Sequence, residues 1–99
     1  MDLPLTLVIL CPGGKAGETH CDSVDLFAAD NAQGQGGGSI GIRKGHMPAV
    51  IALAAGKVTA RADGKTVLTA ETDGGFATVK NNIVTVIAQS AKIDLPTGG

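Results

Sequence analysis

Apolar positions recur along this chain in short runs with a period of two, the mark of strands, and no amphipathic helix of useful length is legible. Residues 3–10 are apolar on both alternating faces except at Thr6, and a leucine-rich, β-branched run of that length predicts a strand. Pro12, Gly13 and Gly14 end it, because proline lacks a ladder donor and glycine accepts positive φ. The polar residues 16–22 predict a second strand returning beside the first, and residues 24–29 a third. Residues 39–43 read as a short strand, whereas the alanines of residues 49–55 allow a helical turn as readily as a strand.

From Gly56 onward the alternation sharpens. Val58, Ala60 and Ala62 face one way and Lys57, Thr59 and Arg61 the other. Asp63-Gly64 is a preferred pair for a two-residue hairpin turn, and residues 65–70 then form the partner strand. A further strand opens at Gly74-Gly75 and runs to Val79, Lys80-Asn81-Asn82 turns it, and residues 83–88 run back. Five of those last six positions are apolar, which predicts a strand covered on both faces. Between the third and fourth strands, residues 30–39 form a glycine- and glutamine-rich loop that is costly to order. Turn signals at regular spacing define an all-β fold, a two-sheet antiparallel β-sandwich or flattened barrel of about 8–10 short strands.

Composition narrows the function. A chain of 99 residues holds one domain, and 43% hydrophobic residues are too many for a disordered segment. The formal net charge of −1 gives no clustered positive field for nucleic acid, and with Phe27 and Phe76 the only aromatics there is no base-stacking platform. No apolar stretch is long enough to span a membrane, and no basic region precedes the first apolar run as a secretory signal would require. Cys11 and Cys21 are compatible with one disulfide or with free thiols in a reducing compartment, the simpler reading for so aliphatic a core. Two cysteines and two histidines without paired ligand spacing predict no metal site.

Three segments look chemical and have plainer explanations. Gly36 to Gly41 matches G-x-G-x-x-G, but that pattern binds a pyrophosphate only where a helix begins at the glycines, and Gly45 and Pro48 interrupt any such helix. Gly64-Lys65-Thr66 resembles the end of a phosphate loop, yet its first glycine would fall at Thr59. His46 has neither a nucleophile in an elbow motif nor a motif-spaced carboxylate to orient it. No catalytic residue and no cofactor are expected.

Taken in order, the segments do resemble one family. Cys11-Pro12 ends the opening strand and Cys21-Asp22-Ser23-Val24 follows. Then come Gly38-Ser39-Ile40-Gly41-Ile42, Gly45-His46-Met47-Pro48, Gly56-Lys57-Val58, Asp73-Gly74-Gly75-Phe76 and the run from Asn82 to Ala88. This succession is similar to the N-terminal β-sandwich of the epsilon subunit of F-type ATP synthases, called delta in mitochondria. The departures are Arg43-Lys44 where the family has a residue followed by proline, Ala49 for leucine, Asp73 for serine, and a longer loop at residues 30–39.

The resemblance implies a sandwich domain over residues 1–91 and a short tail at 92–99. It implies a non-catalytic central-stalk rotor subunit of a proton- or sodium-translocating synthase, peripheral to the cytoplasmic face of a bacterial inner membrane. Such a subunit docks on the gamma subunit and the c-ring and so couples rotation to ATP synthesis or hydrolysis. By match to the family segments, His46, Met47 and Ile51 are the gamma-facing candidates, and Asn31, Gln33, Gln35, Gly36, Gly37 and Ser39 the c-ring candidates. The family's inhibitory or ATP-binding helical hairpin is not expected from residues 91–99, which are few and rich in helix breakers, whether the chain is naturally short or truncated. The alternative from another class is a small ligand-binding β-sandwich, which needs a concave apolar pocket with convergent polar groups.

Overall fold

The computed structural model describes residues 3–29 and 38–95. Ten strands fill most of that length: β1 (Leu5–Cys11), β2 (Gly14–Cys21), β3 (Ser23–Ala28), β4 (Gly38–Arg43), β5 (Ala49–Leu53), β6 (Gly56–Ala62), β7 (Lys65–Thr72), β8 (Gly75–Lys80), β9 (Ile83–Ile87) and β10 (Ala91–Asp94). They hydrogen-bond in the order β10-β7-β6-β3-β5-β8-β9-β1-β2, with β4 on the free side of β3. The path bends where β3 meets β5 through the single pair Ala28 and Leu53, reinforced by Ala54 N–H donating to the Phe27 carbonyl at 2.9 Å. Two layers result, β2-β1-β9-β8-β5 and β10-β7-β6-β3-β4.

The core lies between them and is aliphatic. Leu5, Leu7 and Ile9 on β1, Val84 and Val86 on β9, and Ala77 and Val79 on β8 point inward from the first layer. Val24 and Leu26 on β3, Ile42 on β4, Val58 and Ala60 on β6, and Leu68 and Ala70 on β7 meet them from the second. The two ends of the strand path also approach each other. A methyl group placed on Gly17 of β2 would touch Ile93 Cδ1 at 3.4 Å and Leu68 Cδ1 at 3.6 Å, so β2 lies against β10 and β7 and the sandwich is nearly a closed barrel.

The tight turns follow their residues. Asp63 and Gly64 have φ of 55° and 77°, and Asn81 and Asn82 have 52° and 63°, the left-handed pairs that two-residue hairpins require. The ambiguous segment at 49–55 is strand β5, because pairing with β8 overrides the helical propensity of its alanines. Gly38 to Gly41 lie in β4, so the dinucleotide-like glycines start no helix.

Three expectations need correction or extension. β9 is covered on one face only: Val84 and Val86 are buried, while Ile83 and Ile87 remain 45% and 44% exposed. Period-two geometry sends alternate residues outward, and among the described residues no second layer lies over that side. The sandwich is antiparallel except for one pair, β1 with β9, which run parallel from Thr6↔Ile83 to Leu10↔Ile87. A long intervening chain makes that parallel return possible. Finally, the expected boundary at Ala91 falls inside β10, which adds Lys92, Ile93 and Asp94 to the sheet by pairing with β7.

Candidate docking surface

Register fixes what each outer face presents. On the first layer Ala52, Phe76 and Ile87 stand side by side across β5, β8 and β9, followed by Leu10 on β1. The next row carries Val50, Thr78, Thr85 and Val8. Phe76 is 54% exposed and Val50 74%, which leaves a contiguous apolar field on a chain otherwise well packed. Two shallow depressions mark it. One, of about 450 Å³, runs beside Leu10, Cys11, Pro12, Phe76 and Ile87. The other, of about 440 Å³, lies beside Pro48, Val50 and Thr78.

The His46 loop borders this field. Gly45, with φ of 82°, receives the Asn82 side-chain carbonyl on its N–H at 2.9 Å. His46 N–H donates to the Arg43 carbonyl at 3.1 Å, closing the corner that proline would otherwise stiffen at Lys44. His46 Nδ1 lies 2.7 Å from the Met47 carbonyl, so that nitrogen carries the proton and donates. Met47, three residues before Val50 in the chain, is 79% exposed.

The outer face of the second layer carries a charged cleft at one end and exposed Phe27 at the other. Arg43 and Arg61 flank Ser23 across β4, β3 and β6, and Arg61 Nε lies 3.4 Å from Asp25 Oδ2. Asp22 accepts the Asp63 N–H at 2.8 Å beside this cleft. Two guanidiniums and two carboxylates cancel, leaving no field that would select an anion. Among the described residues, no group of three His, Cys, Asp or Glu side chains converges, and no helix is long and apolar enough to cross a membrane.

The predicted contact residues divide. His46 and Met47 are neighbours in the loop that leads into β5, whose Gly45 is bonded to Asn82. Ile51 points inward and packs on the core, and its outward neighbour Val50 takes the exposed position. Ser39 is exposed on β4 opposite Phe27, toward the far end of that strand from Arg43 and the His46 loop. Asn31, Gln33, Gln35, Gly36 and Gly37 lie outside the described residues. Phe76, Ile87 and Val50 were not among the sequence candidates, although the surplus of apolar residues in β9 was a signal that part of that strand faces outward.

Cys11 and Cys21 do not meet. Cys21 pairs with Leu5 and Cys11 with Gly14, at opposite ends of the β1–β2 ladder and about 20 Å apart at strand rise, far beyond disulfide reach. Cys21 is fully buried, and burial, aided by the Asp22 carboxylate, pushes its thiol up to about 11.

The chain is thus a β-sandwich with a contiguous apolar field on one outer face, a candidate interaction surface. Comparison with known proteins gives its kinship. Residues 5–94 match the family described as ATP synthase, Delta/Epsilon chain, beta-sandwich domain, and the chain belongs to that family. It is 44% identical over 84 residues to the ATP synthase epsilon chain of Bacillus velezensis, which covers 85% of this chain but only 58% of the Bacillus one. The epsilon chain of Frankia casuarinae is 28% identical over 91 residues, a span covering 92% of this chain and 99% of the Frankia one. In fold, a chain of the Euglena gracilis mitochondrial ATP synthase matches with a TM-score of 0.74 at 19% identity, over 94% of this chain and 55% of that one. A chain from the central stalk and c-ring structure of the Tetrahymena thermophila mitochondrial enzyme matches with 0.67 at 11% identity, over 90% and 66%.

One departure from the family pattern has a structural account. The carboxylate of Asp73, which replaces serine, accepts the Ser90 N–H at 3.2 Å and ties the start of β8 to the turn before β10.

Proposed function

We propose that this chain is a non-catalytic rotor subunit of a proton- or sodium-translocating F-type ATP synthase, held at the cytoplasmic face of a bacterial inner membrane through the complex. It docks on the gamma subunit with the apolar field of its first layer and with the His46–Met47 loop. The segment from Asn31 to Ser39 is the part assigned to the c-ring. The observation that carries the reading is the outward apolar row of Phe76, Ile87 and Leu10, with Val50 in the next row and exposed Met47 in the loop that leads into β5. The names of the Bacillus and Frankia relatives support it. Coupling through such a part requires that it not deform. An aliphatic interior at crystal-like packing density supplies that stiffness without any reactive group.

The test is binding of the full chain to purified gamma subunit of the same synthase, followed by calorimetry. Phe76→Ser with Val50→Ser removes central apolar anchors and is expected to weaken binding by about tenfold or more, with the melting temperature little changed because both side chains are exposed. Unaltered affinity, or no binding by the unmodified chain at low salt, overturns the proposal.

A further inference from the structure

A two-residue turn with both residues left-handed accepts asparagine or glycine at either position, so backbone geometry alone gives Asn82 no need of its amide. Asn81 and Asn82 share nearly the same φ, 52° and 63°, yet their surroundings differ. Asn81 is exposed, whereas Asn82 is half-buried. The Asn82 side-chain carbonyl reaches 37 positions back along the chain to accept the Gly45 N–H at 2.9 Å, and its main-chain carbonyl accepts the Thr6 N–H at 3.0 Å. One residue thus joins the β8–β9 turn, the first strand and the loop that crosses from β4 in the second layer to β5 in the first. Within that loop the His46 N–H bond to Arg43 and the Nδ1 bond to Met47 are local. Among the described residues, the Asn82 amide carbonyl supplies the side-chain hydrogen bond between this loop and the first layer.

We propose that Asn82 is the positioning residue of the docking loop: its side-chain carbonyl holds the Gly45 amide and thereby fixes His46 and Met47 in the pose presented beside the apolar field. The inference deepens the gamma-docking reading and rests on it. Asn82 itself makes no contact with the partner. It acts by ordering the loop before the encounter, which lessens the ordering cost at binding.

Two variants separate this role from a structural one. Asn82→Gly keeps the left-handed turn and deletes the amide. Asn82→Asp keeps an acceptor at the same atom. In the free chain, amide hydrogen exchange followed by NMR is expected to quicken at Gly45 by about tenfold in Asn82→Gly and to stay slow in Asn82→Asp. Gamma binding is expected to weaken about three- to tenfold in the glycine variant, the equivalent of one hydrogen bond, and to be rescued in the aspartate variant. Unchanged exchange at Gly45 in Asn82→Gly overturns the inference, as does a quickened loop with undiminished affinity. If the unmodified chain binds no gamma subunit, the docking reading falls and the inferred role with it. The exchange data then show separately whether the loop depends on Asn82.

Discussion

The carbonyl of Ile87 lies against the α-carbon of Gly75, closer than a side chain at that position would permit. Gly75 opens β8 with φ of 105°, and β9 ends on top of it. The contact lets Phe76 and Ile87 stand side by side on the outer face.

Gly75→Ala must therefore move backbone as well as adopt an unfavourable φ. A loss of about 3 kcal/mol or more is expected, read as a fall in melting temperature of roughly 10–20 °C for a domain of this size. Gly64→Ala is the control. Gly64 also has positive φ, 77°, but open space around the added carbon. It should cost only about 1–2 kcal/mol. Equal effects of the two substitutions would show that the Ile87 contact is relaxed in solution.

Closure of the barrel can be read at Gly17. Its backbone is in an ordinary strand conformation, and an added methyl would reach Ile93 and Leu68 at ordinary contact distance. Gly17→Ala is expected to stabilise by about 0.5–1 kcal/mol. Ile93→Ala, which empties the other side of the same contact, should destabilise by about 1–2 kcal/mol, less than for a fully buried side chain. Urea unfolding measures both, and a destabilising Gly17→Ala would mean that β2 and β10 stand differently.

The thiols should behave unlike one another. Cys11 is half-buried and Cys21 buried, so a thiol reagent at mild alkaline pH is expected to label Cys11 rapidly and Cys21 only after unfolding. Oxidation should give no intramolecular bridge, which mass spectrometry of the oxidised chain checks.

The Cys21 thiol also predicts a pH dependence. Its folded pKa is raised from 9.0 to about 11, so the folded state holds the proton over a range where the unfolded state releases it. The contribution is intact below pH 9 and is lost as pH rises from 9 to 11, with a total of about 2–3 kcal/mol. Comparison of unfolding free energies for the unmodified chain and Cys21→Ala across that window isolates it. Parallel pH profiles would rule it out.

Much of the fold was legible because each hairpin carries its own local signal. Asp63-Gly64 and Asn81-Asn82 sit where left-handed turns are needed, and the alternation of β6 assigns its inward residues correctly. What was not legible is non-local. The parallel pairing of β1 with β9 joins residues far apart in sequence, and nothing near Leu7 foretells Val84. Lys92 and Asp94 flank Ile93 in a short edge strand beside helix breakers, too few alternations to stand out. At the docking surface the failure has one cause. Sequence shows that Ile83 and Ile87 are apolar, but an apolar face looks the same whether its own chain or another molecule covers it. Which of Val50 and Ile51 faces outward is likewise a one-residue matter of phase, which only pairing with Ala77 and Thr78 decides.

The place of β1 between β2 and β9 has a consequence for synthesis on the ribosome. The most oily strand, β1, emerges just before β2 and finds that neighbour at once, across the Pro12–Gly13 turn. Its other neighbour, β9, is made only after the strands between them. Until then one edge of Leu5–Cys11 stays unpaired, an open invitation to aggregation for a nascent chain. High contact order makes the final zipping slow, in the range of milliseconds to seconds. Chaperone dependence in this protein should therefore trace to β1.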